Sequence, residues 1–130
     1  NKNVNDMLKR DEHGVIDHTC ISTIDEYQTA ALDSAVYPES AAIVYPTLGL
    51  TGEAGEVADK VKKVIRDKNG DFDNEDIRKE IAKELSDVMW YAATLAHDLG
   101  YSLTDICQLN IQKLQSRKLR GVLHGSGDNR

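Results

Sequence analysis

From Thr23 onward the chain reads as apolar stripes of helical period separated by short polar breaks. Thr23-Ile24-Asp25-Glu26 fits a capping box, with Glu at the third helical position. A first helix is expected from there to about Val36, carrying Ile24, Tyr27, Ala31 and Leu32 along one side. Tyr37-Pro38 ends it, because proline disfavours helical backbone at the residue before it. Pro46 suits the opening turn of a second helix that runs to about Asp67. Lys68-Asn69-Gly70-Asp71 stops that helix, with Asn69 or Gly70 supplying a left-handed cap. Asp73 or Asn74 caps a third helix that ends at Leu99, just before Gly100. Ser102-Leu103-Thr104-Asp105 resembles another capping box, its acid one carbon shorter than Glu. The fourth helix then carries Ile106, Leu109, Leu114 and Leu119. No alternating segment bounded by turns reads as a strand, so the expected class is all-α, a bundle of about four helices. Residues 1–22 read as a polar arm, 23–120 as the helical domain and 121–130 as a glycine-rich tail.

Composition narrows the possibilities. The 130 residues (14.4 kDa) suffice for one domain, and 40% hydrophobic with 29% charged residues is an ordinary soluble balance. A net charge of −6 and 5% aromatic residues argue against a nucleic-acid polymer or an anionic membrane as partner. No apolar run approaches the roughly 18–20 residues of a membrane helix, and no signal-peptide pattern opens the chain. Cys20 and Cys107 are too few for a disulfide scaffold and lack C-x-x-C spacing, so a reducing cytoplasm is the expected location.

The chemistry lies on helices two and three. At ~100° per residue, positions three and four apart share a face. Leu50, Ala54, Val57, Ala58, Val61, Val64 and Ile65 form one apolar arc, with Glu53 at its margin and Glu56 further round on the same side. In the third helix the arc is Ile77, Ile81, Leu85, Val88, Ala92, Leu95 and Leu99. Glu84 falls inside it, flanked by Asp87 and Tyr91. A carboxylate facing a core must be protonated, paired with a cation or bound to metal. Packing the two helices together would gather four acids, a set that divalent cations make tolerable. All-oxygen ligands suit Mg²⁺ or Mn²⁺. The plainer alternative is a solvated acidic face, with Lys60 and Lys63 following Glu53 and Glu56 at helical intervals. A di-iron bundle would need Glu-x-x-His motifs, and His13, His18, His97 and His124 do not follow these acids at that spacing.

Glu53-x-x-Glu56, then residues 57–83, then Glu84-x-x-Asp87 resembles the signature of the MazG-like all-α nucleoside triphosphate pyrophosphohydrolases. Leu48-Gly49-Leu50-Thr51-Gly52-Glu53-Ala54-Gly55-Glu56-Val57 is similar to the family's first motif helix. Lys83-Glu84-Leu85-Ser86-Asp87-Val88-Met89-Trp90-Tyr91 is similar to its second. Asn110-x-x-Lys113-Leu114-x-x-Arg117 resembles the basic motif of the following helix. The ending from Arg120 to Arg130 is like that of a compact bacterial and phage subgroup.

The resemblance implies hydrolysis of a (deoxy)nucleoside triphosphate to the monophosphate and pyrophosphate with Mg²⁺ or Mn²⁺, in a helical bundle completed as a homodimer or homotetramer. Glu53, Glu56, Glu84 and Asp87 would be the metal ligands, and Glu53 or Glu56 would take a proton from the attacking water. Lys113 and Arg117 share a helical face from which to meet phosphate, and Lys60 and Lys63 lie beside the acids. Tyr91 is a candidate for the base pocket or the core, Asn110 for base or ribose, and Arg130 for phosphate. Tyr27 and Gln28 are weaker base-pocket candidates. Trp90 points away from the acids on the wheel, toward the core or a subunit interface. Two other readings stand beside this one: an enzyme devoted to one deoxynucleotide such as dUTP or dGTP, and a non-catalytic helical module that binds a nucleotide or a partner.

Overall fold

The computed structural model describes Glu12 and residues 21–127, and among these every regular element is helical. α1 spans Ile24–Asp33, α2 Val44–Asp67, α3 Glu75–Asp98 and α4 Leu103–Leu119, with a short 3-10 turn at Glu39–Ala41. Most of the polar arm and residues 128–130, including Arg130, lie outside the described residues.

Local chemistry sets the helix ends. The Thr23 hydroxyl accepts from the Glu26 N–H and the Glu26 carboxylate accepts from the Thr23 N–H, a closed capping box. Ser102 and Asp105 close the same box on α4, whereas the Asn74 side-chain oxygen caps α3 by accepting from the Asp76 and Ile77 N–H groups. α1 ends at Asp33, three residues short of the expected Val36. The Ser34 hydroxyl and N–H both turn back onto the Ala31 carbonyl and terminate the ladder. α2 starts at Val44, two residues before Pro46. The proline occupies the first turn, where an N–H would have had no helical acceptor. Ahead of it Ile43 takes φ 67° and ψ −52°, a γ-turn closed by the Val44 N–H on the Ala42 carbonyl. Asp98 holds this turn, accepting from the Ile43 N–H and the Tyr37 hydroxyl, each at 2.9 Å. Asn69 and Gly70 both adopt positive φ, so the left-handed stop after α2 uses two residues.

α2 and α3, 24 residues each, form a long hairpin and the principal packing interface. α1 lies on α3, and α4 leans on α1 and α3. The buried cluster is small: Ala31, Ala93, Ala96 and Leu103, with Ile24, Tyr27 and Trp90 packed against it. Gln28 is buried at the junction of three elements. Its amide donates to the Ala93 and Tyr101 carbonyls, and its oxygen accepts from the Leu103 N–H, all at 3.1 Å. Trp90 is half-buried, its indole N–H donating to the Ser34 hydroxyl at 2.8 Å, so it joins α3 to α1.

The expected stripe of α4 does not enter this core. Leu103 is buried, but Ile106, Leu109, Leu114 and Leu119 are exposed, Leu109 by 54% and Leu119 by 88%. The helix is anchored through its first turn, where Asp25 and Gln28 accept from the Thr104 and Leu103 N–H groups. Its remaining turns find too little of the same chain to cover them. The arcs of α2 and α3 are also partly open, with Ile65 and Leu85 exposed.

Candidate metal centre

Helical spacing carries Glu53 on α2 to the same level as Glu84 and Asp87 on α3. One carboxylate oxygen from each lies within 4.8 Å of the other two. Three anions this close repel one another. Loss of hydration, then the charges of Asp87, Glu84 and Glu56, push the Glu53 carboxyl above its usual range. Hard oxygen donors from two rigid helices, with charge in excess, match what a small divalent cation needs. Glu56, exposed and one turn further along α2, is not drawn into the trio, although its charge still reaches Glu53.

The cations sort unevenly around the acids. The Lys60 ammonium stands 3.5 Å from Glu84 and 3.7 Å from Glu80, lending one positive charge to the edge of the cluster. Lys63 pairs instead with Asp59 at 2.6 Å, as does Lys62. Hydrogen bonds from Lys62 and then Lys63 hold the Asp59 carboxyl at about 2. On α4, Asn110 and Lys113 are exposed. Arg117 is buried where the chain turns back after the helix, its guanidinium donating to the Gly127 carbonyl at 3.4 Å. Within one chain, then, Arg117 ties the end of α4 to the residues that follow it.

The aromatic side of the site was only partly visible in the chain. Tyr91 lies a turn beyond Asp87, and its ring rests directly on Gly49, where a Cβ would come within 2.1 Å of it. Tyr45 approaches Tyr91 with ring centroids 6.3 Å apart and stacks on Tyr37 at 4.8 Å. Burial, Tyr45, and the charges of Glu53 and Asp87 raise the Tyr91 hydroxyl above its usual range, which sets this phenol beside the acids. On the other flank, burial and the charge of Asp87 raise the Tyr27 hydroxyl. The sequence offered one signal for the Gly49–Tyr91 contact. Gly49 precedes Glu53, and Tyr91 follows Asp87, by four residues, so each shares a helical face with its acid.

The MazG nucleotide pyrophosphohydrolase domain matches residues 46–121, a span that holds all three gathered acids. The chain is also 51% identical over 113 residues to the Gene 37 protein of Mycobacterium phage L5, which covers 82% of this chain and 98% of that protein. No solved structure matches. The chain belongs to the MazG nucleotide pyrophosphohydrolase family, and its all-helical architecture agrees with that membership. Among the described residues no helix is long and apolar enough to cross a membrane.

Proposed function

We propose that this protein hydrolyses a (deoxy)nucleoside triphosphate to the monophosphate and pyrophosphate with Mg²⁺ or Mn²⁺, as a homo-oligomer in the cytoplasm. The observation that carries the reading is the convergence of Glu53, Glu84 and Asp87 within 4.8 Å, inside the span that matches the family. These three residues would hold the cation. A bound divalent cation neutralises triphosphate charge and makes hydroxide accessible near neutral pH. The chain's own residues do the rest. Glu56, outside the trio, takes the proton of the attacking water. Lys60, at the edge of the cluster, meets the phosphate charge that shifts toward pyrophosphate.

The oligomer follows from what one chain leaves uncovered. Among the described residues the buried apolar side chains are Ala31, Pro46, Val64, Ala93, Ala96 and Leu103, none of them larger than Leu. Fully burying a Leu or Ile contributes about 1.5–3 kcal/mol, so covering the half-exposed Leu109, Ile111 and Leu114 contributes roughly half of that for each. A second copy laid along α4 supplies that cover, and would bring Asn110 and Lys113 to a site from across the boundary.

The test is a panel of ribo- and deoxynucleoside triphosphates with Mg²⁺ and with Mn²⁺, quantifying monophosphate and pyrophosphate separately. Glu53→Gln and Glu84→Gln should each abolish pyrophosphate release while the helical circular-dichroism signal survives. Full activity in either variant removes the site assignment. Turnover of a single deoxynucleotide marks a dedicated enzyme. No turnover of any nucleotide leaves a binding module.

A further inference from the structure

The α2–α3 hairpin is closed at both ends. Residues 68–74 join the helices at one end. At the other, one oxygen of the half-buried Asp98 carboxylate accepts from the Ile43 N–H and the Tyr37 hydroxyl, each at 2.9 Å. The gathered acids lie between these two closures. Ile43 precedes Glu53 by ten residues and Asp98 follows Asp87 by eleven, about 15 and 16.5 Å of chain at about 1.5 Å per residue. The two lengths agree to within one residue, so Asp98 is level with Ile43 when Glu53 is level with Asp87. The contact of Tyr91 with Gly49, four residues from each acid, falls in the same register.

The turn that Asp98 holds is strained. Ile43 is β-branched and sits at φ 67°, a region that such residues rarely adopt. Backbone of this kind persists only where its surroundings impose it. The effect of the turn reaches inward through stacked rings: Tyr37 lies on Tyr45 at 4.8 Å, and Tyr45 approaches Tyr91 at 6.3 Å.

We infer that Asp98 is a positioning residue: by tying Ile43 and Tyr37 to the end of α3 it fixes the register of α2 on α3, and so brings Glu53 to Glu84 and Asp87. The inference rests on the proposed metal centre and names a residue outside it that governs its geometry. A small divalent cation tolerates little displacement of its oxygen ligands, so a slip of α2 weakens the site although all three acids remain.

The experiment reads Mn²⁺ affinity by electron paramagnetic resonance, without nucleotide and below the melting transition of each variant. Asp98→Ala removes both bonds and should weaken Mn²⁺ binding about tenfold. It should also change the near-ultraviolet circular dichroism of Trp90, the single tryptophan of the chain, whose ring meets Tyr91 edge-on at 4.9 Å. Asp98→Asn loses the charge but keeps an oxygen for both donors, and should stay within about twofold of the unaltered protein. Tyr37→Phe keeps the stacked ring and drops one bond, with an expected weakening of about threefold. Unaltered affinity in folded Asp98→Ala, or in Tyr37→Phe should Asp98→Ala not fold, overturns the inference and leaves the metal centre standing. Equal weakening in Asp98→Asn and Asp98→Ala also overturns it, because charge and not position would then carry the effect. Absence of Mn²⁺ binding in the unaltered protein removes the metal centre and the inference together.

Discussion

Replacing Gly49 by Ala isolates the contact that seats Tyr91. In a helix interior, alanine is worth about 0.5–1 kcal/mol over glycine, so the backbone alone favours the substitution. The new methyl would meet the Tyr91 ring at 2.1–2.5 Å, well inside any real contact distance. Relieving such an overlap by side-chain displacement costs about 1–3 kcal/mol. The balance is a net loss of about 1 kcal/mol, or a fall of about 3–5 °C in melting temperature for a protein of this size. Gly52 and Gly55 lie on the same helix with nothing within 4 Å of an added Cβ, so Gly52→Ala and Gly55→Ala should instead raise it. A double-mutant cycle with Tyr91→Ala assigns the cause. Without the ring, Gly49→Ala should become stabilising, like its neighbours. If the loss persists in the Tyr91→Ala background, or if Gly49→Ala is stabilising by itself, the close approach of α2 to Tyr91 is refuted.

Three further outcomes are expected. With chelator present, the raised Glu53 pKa means the folded state binds its proton first. Stability should therefore rise as pH falls through that value toward 4.5 and decline as pH rises again, and thermal melts of Glu53→Gln should lack this step. Gln28→Leu removes two donors and an acceptor from a buried junction and should cost about 3 kcal/mol, read by urea denaturation; a midpoint equal to wild type would contradict the three-way hydrogen bonding. Leu109→Glu and Leu114→Glu should shift sedimentation toward monomer with α-helical content retained, whereas an unaltered oligomer would place the interface elsewhere.

Local rules made the helix ends readable, since capping boxes and left-handed stops depend on residues within about six positions of one another. Thr23–Glu26, Ser102–Asp105 and Asn69–Gly70 all act through such neighbours. Where α1 stops was not readable, because Ser34 only becomes a stop when its hydroxyl folds back onto Ala31 and receives the Trp90 indole N–H. On a helical wheel Glu53 and Glu56 differ by only about 60°. Which of them turns inward depends on how α2 leans on α3, a tertiary quantity. The stripe on α4 read as a core face, yet Ile106, Leu109, Leu114 and Leu119 stay exposed in one chain, because burial depends on what packs alongside and not on period alone. The burial of Arg117 against the Gly127 carbonyl was not readable either, because it depends on how the chain reverses after Gly121.

The three gathered carboxylates all belong to one contiguous hairpin, and neither α1 nor α4 contributes to them. This separates two kinds of evolutionary freedom. On the proposed function, substitutions on α1 and α4 leave the carboxylate set of this hairpin untouched. Lineages that share this hairpin are therefore expected to diverge first in the helices that flank it, and last in the bond they cleave.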